Sequence, residues 1–76
     1  MLDLDLHDEI KARLRKAGSG ISAIARELGI TPGSVTVVSQ GYRRSQKVQR
    51  AIADKLGTTP EVIWPARYEK EADMDT

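Results

Sequence analysis

The sequence predicts an all-α fold, a compact domain of four to five helices, and three observations predict it. Apolar residues recur at three- and four-residue spacing in successive short segments. Each segment closes on a glycine, and a Ser or Thr, twice followed by proline, stands where a later one opens. At 76 residues without a cysteine, the chain reads as one domain that lacks both a disulfide framework and a thiolate metal site. The expected organisation is a helical domain over residues 1–68 and a disordered acidic tail over 69–76, where EKEADMDT has no apolar pattern.

The first segment, DLHDEIKARLRKAG, places Leu6, Ile10, Leu14 and Ala17 on one face. Asp5 is its expected N-cap, Asp8 and Glu9 suit the positive end of the helix dipole, and Arg13, Arg15 and Lys16 suit the negative end. These three bases are assigned to the solvent face, and Gly18 is the stop. After the small-residue link GSG, Ile21, Ile24, Ala25 and Leu28 form a second apolar stripe, which Gly29 ends.

TPGSVTVVSQG is the hardest stretch, because Val35, Thr36, Val37 and Val38 are β-branched and propensity alone favours a strand. Position decides for a helix. Thr31 can cap it, Pro32 is preorganised for the first helical position, and Gly41 can end it. Its expected core side is Ile30, Val35 and Val38, which leaves Thr36 and Val37 outside. After YRRSQ, Ser45 is the next N-cap, and Val48, Ala51, Ile52 and Leu56 share a face up to Gly57. Thr59 and Pro60 open a further helix, held to little more than one turn because Pro65 disfavours helical backbone at Trp64. Trp64, among Val62, Ile63 and Pro65, is expected in the core.

Two stretches, AIARELGITP and AIADKLGTTP, therefore have the opening of a helix-turn-helix. In the first, Ala25 lies four residues before Gly29, Leu28 and Ile30 flank the turn, and Val35 and Val38 return the second helix to the core. Five positions agree at fixed spacing. The second is cut short at Pro65 and is apolar where a reading helix would be polar, so it is expected to close the core.

Charge points the same way. Acids crowd the ends of the chain, whereas between Ile10 and Tyr68 eleven Lys and Arg face three acids, a surplus of eight. That surplus suits a polyanion. The outer positions Thr31, Gly33, Ser34, Thr36, Val37 and Gln40 are the candidate base-reading set: Gln40 suits an adenine edge, Val37 and the Thr36 methyl suit thymine methyls, and Gly33 permits close backbone approach. Arg43, Arg44 and Lys47 are candidate phosphate contacts, as is Ser22 in the first turn of the supporting helix. The pattern leaves open whether Tyr42 and Tyr68 pack or touch phosphate.

The spacing ISAIARELGITPGSVTVVSQG resembles the lambda-repressor and Cro class of helix-turn-helix domains. The ending TTPEVIWPARY is similar to the closing segment of the Ner proteins of Mu-like phages and their bacterial relatives. The resemblance runs from about Leu6 to Tyr68 and departs in the GSG link and the short YRRSQ connection. It implies a small DNA-binding regulator, in phages a repressor of early promoters, acting on double-stranded DNA at a palindromic operator, with weak or DNA-assisted homodimerisation.

The alternative is a protein-interaction module that binds a repressor or polymerase subunit without specific DNA contact. An enzyme is not expected: no nucleophile-base constellation exists, and solitary His7 has no metal-ligating companion, so it is assigned as a polar residue near a helix N-terminus. No cofactor is expected. With no apolar run long enough to span a bilayer and no cysteine, the expected location is the cytoplasm.

Overall fold

Four helices of this protein end in the same hydrogen-bonded motif, and those stops set the architecture. In the computed structural model, which describes residues 4–68, α1 spans Leu4–Lys16, α2 Ile21–Leu28, α3 Pro32–Gln40, α4 Gln46–Lys55 and α5 Pro60–Ile63. Helical backbone resumes at residues 65–68, and no strand occurs among the described residues. After α2, Gly29 adopts φ 72°, its amide reaches the Arg26 carbonyl at 3.2 Å, and the Ile30 amide reaches the Ala25 carbonyl at 2.9 Å. This is a Schellman closure, and the left-handed backbone it requires strains any residue with a Cβ. The same pair of bonds follows α1, α3 and α4 at Gly18, Gly41 and Gly57.

Helix starts are as local as the stops. Thr31 caps α3, its Oγ1 accepting from the Ser34 amide at 3.3 Å, with Pro32 as the first helical residue. Ser45 caps α4, its Oγ accepting from the Val48 amide at 3.3 Å. The four β-branched residues of α3 are therefore helical, because both ends are fixed and Val35 and Val38 are buried. Asp5 is not a cap, since α1 already includes Leu4 and puts Asp5 inside its first turn.

α2 packs on α3, α1 lies against α3, and α4 touches both α2 and α3 and carries α5. The core joins Ile10 and Leu14 from α1, Ile24 and Ala25 from α2, Val35 and Val38 from α3, and Val48, Ile52 and Ala53 from α4. Ile63 and Trp64 cover its remaining side. Ala25, 1% exposed, sits where its small side chain permits α2 to approach α3.

Two apolar expectations, Ala17 and Ile30, are corrected. Ala17 is exposed because α1 ends one residue earlier, taking it off the helical stripe. Ile30 is 36% exposed: it sits in the surface turn where its amide completes the closure of α2. Val62 is 68% exposed: a single turn can turn only one side inward, and in α5 that side carries Ile63. The acidic stretch 69–76 lies outside the described residues.

Candidate nucleic-acid interface

α2 and α3, joined by the Gly29 closure, form the helix-turn-helix unit, and the buried residues of α3 define which side it offers outward. Val35, Val38 and Ser39 face the core. At about 100° per residue, Gly33, Val37 and Gln40 project from the opposite side, with Thr36 and Ser34 flanking them. Gly33 is exposed, whereas Ser34, Thr36, Val37 and Gln40 are half-buried. Thr31 is exposed and occupied as a cap, its Oγ1 also 3.0 Å from the Ser34 hydroxyl. Ser22 is exposed in the first turn of α2, whose N-cap Gly20 supplies no side-chain acceptor.

Arg43 and Arg44, in the connection after α3, and Lys47 in the first turn of α4 are all exposed. The bases of α1 are set differently: Arg13 Nη2 lies 3.7 Å from Glu9 Oε1 one turn earlier. Lys55 Nζ meets Glu27 Oε2 at 2.8 Å and ties α4 to α2. Both are exposed pairs that contribute little to stability.

Gly33 is informative because the free protein does not need it. A Cβ built there meets only Thr31 Oγ1, at 4.0 Å. Gly33→Ala is thus expected to raise stability by up to about 1 kcal/mol, the helix preference of Ala over Gly. DNA affinity should fall if the backbone at Gly33 approaches the duplex. Urea titration and a mobility-shift series on one protein preparation check both effects, and unchanged affinity would show that nothing presses against this residue.

Sequence reasoning missed three residues behind α3. His7, expected as a polar residue near the α1 N-terminus, is 5% exposed, and its Nδ1 lies 2.7 Å from the hydroxyl of fully buried Ser39. Arg67, 9% exposed, donates from Nη2 to the Ser39 carbonyl at 3.0 Å, and its guanidinium lies 4.8 Å from the centre of the Trp64 ring. Tyr68, whose role the sequence left open, donates its hydroxyl to Gln49 Oε1 at 2.7 Å, and Tyr42 is 60% exposed. The one available signal was the charge of Arg67, three residues after Trp64 and directly after the apolar run 62–66.

Burial lowers the His7 pKa below its ordinary 6.5, helped by the Lys11 ammonium and opposed by the Asp8 carboxylate. Arg67 adds a further cation on the same serine. The folded chain then binds this proton less readily than the unfolded chain does. The stability due to neutral His7 is complete above about pH 6.5 and is withdrawn as pH falls through the lowered folded value. The urea midpoint should therefore drop between neutral pH and about pH 5.5, and His7→Gln should flatten that drop. A wild-type midpoint indifferent to pH over this window would contradict a buried neutral imidazole.

No group of residues able to hold a metal ion occurs among the described residues, and no helix there is long and apolar enough to cross a membrane.

Comparison with known proteins adds a second line. A family described as winged helix-turn-helix DNA-binding matches residues 4–75. The chain is 38% identical over 61 residues to the negative regulator of transcription of Escherichia phage Mu, covering 80% of this chain and 79% of that protein. It is 41% identical over 66 residues to sugar fermentation stimulation protein B of Escherichia coli (strain K12), covering 86% and 70% respectively. With the Mu-like prophage FluMu DNA-binding protein Ner of Haemophilus influenzae it shares 33% identity over 61 residues, covering 79% and 65%. No solved structure matches the chain.

Proposed function

The chain belongs to the winged helix-turn-helix DNA-binding family, and from that premise we propose that it is a sequence-specific DNA-binding repressor of transcription of the Ner type. It acts by occupying phage or prophage early promoters with α3 in the major groove. The observation that carries this reading is the outward side of α3: Gly33, Val37 and Gln40, flanked by Ser34 and Thr36, spend a helical face on residues that do not build the core. The relatives named as negative regulators of transcription in phages Mu and D108 support it.

In this reading Gln40 pairs with an adenine edge, and Val37 and Thr36 meet thymine methyls. Ser34 and Thr31 serve bases or phosphates, and Gly33 admits the backbone closely. Arg43, Arg44, Lys47 and Ser22 hold the phosphates on either side. The groove, roughly 12 Å wide, accepts one helix, so a specific site of useful length calls for two subunits on a palindromic operator. Pairing is weak without DNA and assisted by it.

Selection of bound duplexes from a random pool, followed by mobility shifts on the winners, tests the assignment. Enrichment of a two-fold symmetric sequence is expected, together with a sedimentation shift to a pair of subunits only when that duplex is present. Equal binding to all duplexes at moderate salt would reject sequence-specific repression, and a tight dimer without DNA would reject the assembly.

A further inference from the structure

The last turn of α3 is gripped from behind by side chains that no contact with DNA accounts for. The Ser39 hydroxyl is met by His7 from α1, and the Ser39 carbonyl by Arg67 from the segment after α5, partners 32 and 28 residues away in the chain. That carbonyl is one of the four a helix leaves unbonded at its carboxy end, where a cation also suits the dipole. Trp64, 1% exposed, lies beside the guanidinium, and the neighbouring Tyr68–Gln49 bond ties the same segment to α4. Burying an arginine for packing alone is unfavourable, since its desolvation is recovered only through directed bonds. Here one such bond is aimed at the peptide that precedes Gln40 and the Gly41–Arg44 exit.

We infer that His7, Ser39 and Arg67 are positioning residues for DNA discrimination: a clasp that fixes the direction in which the end of α3 presents Gln40 to base edges and Arg43 to phosphate. The inference rests on the DNA-reading role of α3 and deepens it. Recognition tolerates misplacement of only about 0.5 Å, so a loosened clasp costs sequence preference before it costs general attraction to DNA. The PEVIWPARY ending thereby has a task beyond closing the core.

The test uses the full chain and two probes, the duplex most enriched by the wild type and a scrambled duplex of equal length. Arg67→Gln, Arg67→Lys and Ser39→Ala are compared with the wild type below each variant's melting temperature, with circular dichroism as the check of folding. Arg67→Gln should lower the ratio of selected to scrambled affinity about 10-fold, the size expected for losing a charge-assisted bond, and leave scrambled binding within about 2-fold. Arg67→Lys should regain part of the ratio, because an ammonium can reach the Ser39 carbonyl. Ser39→Ala removes only the link to His7 and should lower the ratio less, which keeps the test decisive if Arg67→Gln does not fold. Folded variants with an unchanged ratio would overturn the clasp and leave the DNA reading intact. A wild type that enriches no sequence would overturn both.

Discussion

Trp64→Ala is expected to cost the chain a large share of its stability, about 3–5 kcal/mol. The ring is 1% exposed, closes the core together with Ile63, and carries the Arg67 guanidinium at 4.8 Å. Truncating a buried tryptophan costs about 3–5 kcal/mol, and a domain of this size has a total stability of roughly 4–11 kcal/mol. The substitution also leaves Arg67 buried without its aromatic support, which adds to the loss. Urea titration followed by far-ultraviolet circular dichroism checks the outcome. A cooperative transition displaced by less than about 1 kcal/mol would mean that the PEVIWPARY segment contributes far less to the core than its burial implies.

The second large effect is on recognition. Gln40→Ala is expected to reduce the preference for a selected operator over scrambled DNA by about 10- to 100-fold per subunit contact, the range for one bidentate base contact. Binding to scrambled DNA should hardly change, because the phosphate contacts proposed above are Arg43, Arg44 and Lys47. Stability should hold, since Gln40 lies opposite Val35, Val38 and Ser39 and Ala is the better helix former. Competition mobility shifts at fixed salt measure the preference. Equal losses on both duplexes would place Gln40 on phosphate, and no loss on either would remove it from the reading set.

Most of the fold was legible because its signals are local. Thr31-Pro32 and Gly41 fixed the limits of α3 against a β-branched composition, and the spacing of Ala25, Gly29, Val35 and Val38 placed its inner side. The truncation of the second helix-turn-helix opening at Pro65 likewise follows from backbone chemistry, as does the burial of Trp64 from its apolar neighbours. Ala17 and Ile30 were misjudged because a periodic pattern does not reveal the residue at which a helix stops. The outward side of α3 follows from its inner side, so the arrangement of the candidate reading residues was available from sequence.

What stayed hidden was the support behind that surface. A histidine and a serine separated by 32 residues have no spacing that announces a bond, and an arginine reads as solvent-facing unless a partner for its charge is known. Those partners are backbone and hydroxyl groups brought together by tertiary packing alone. His7 and Arg67 thus entered the sequence reading as a minor polar residue and one base among eleven, and they meet at one serine.

The repeated glycine closures bear on how quickly the chain reaches its native state. Each is completed by amides and carbonyls no more than five residues apart, so four boundaries can form before any distant segment has arrived. Little loop entropy then stands between the collapsed chain and the assembled bundle, and refolding on the microsecond-to-millisecond scale of small helical domains is the consequence. The His7–Ser39 and Arg67–Ser39 bonds, which join residues 32 and 28 positions apart, would lock later than these local closures.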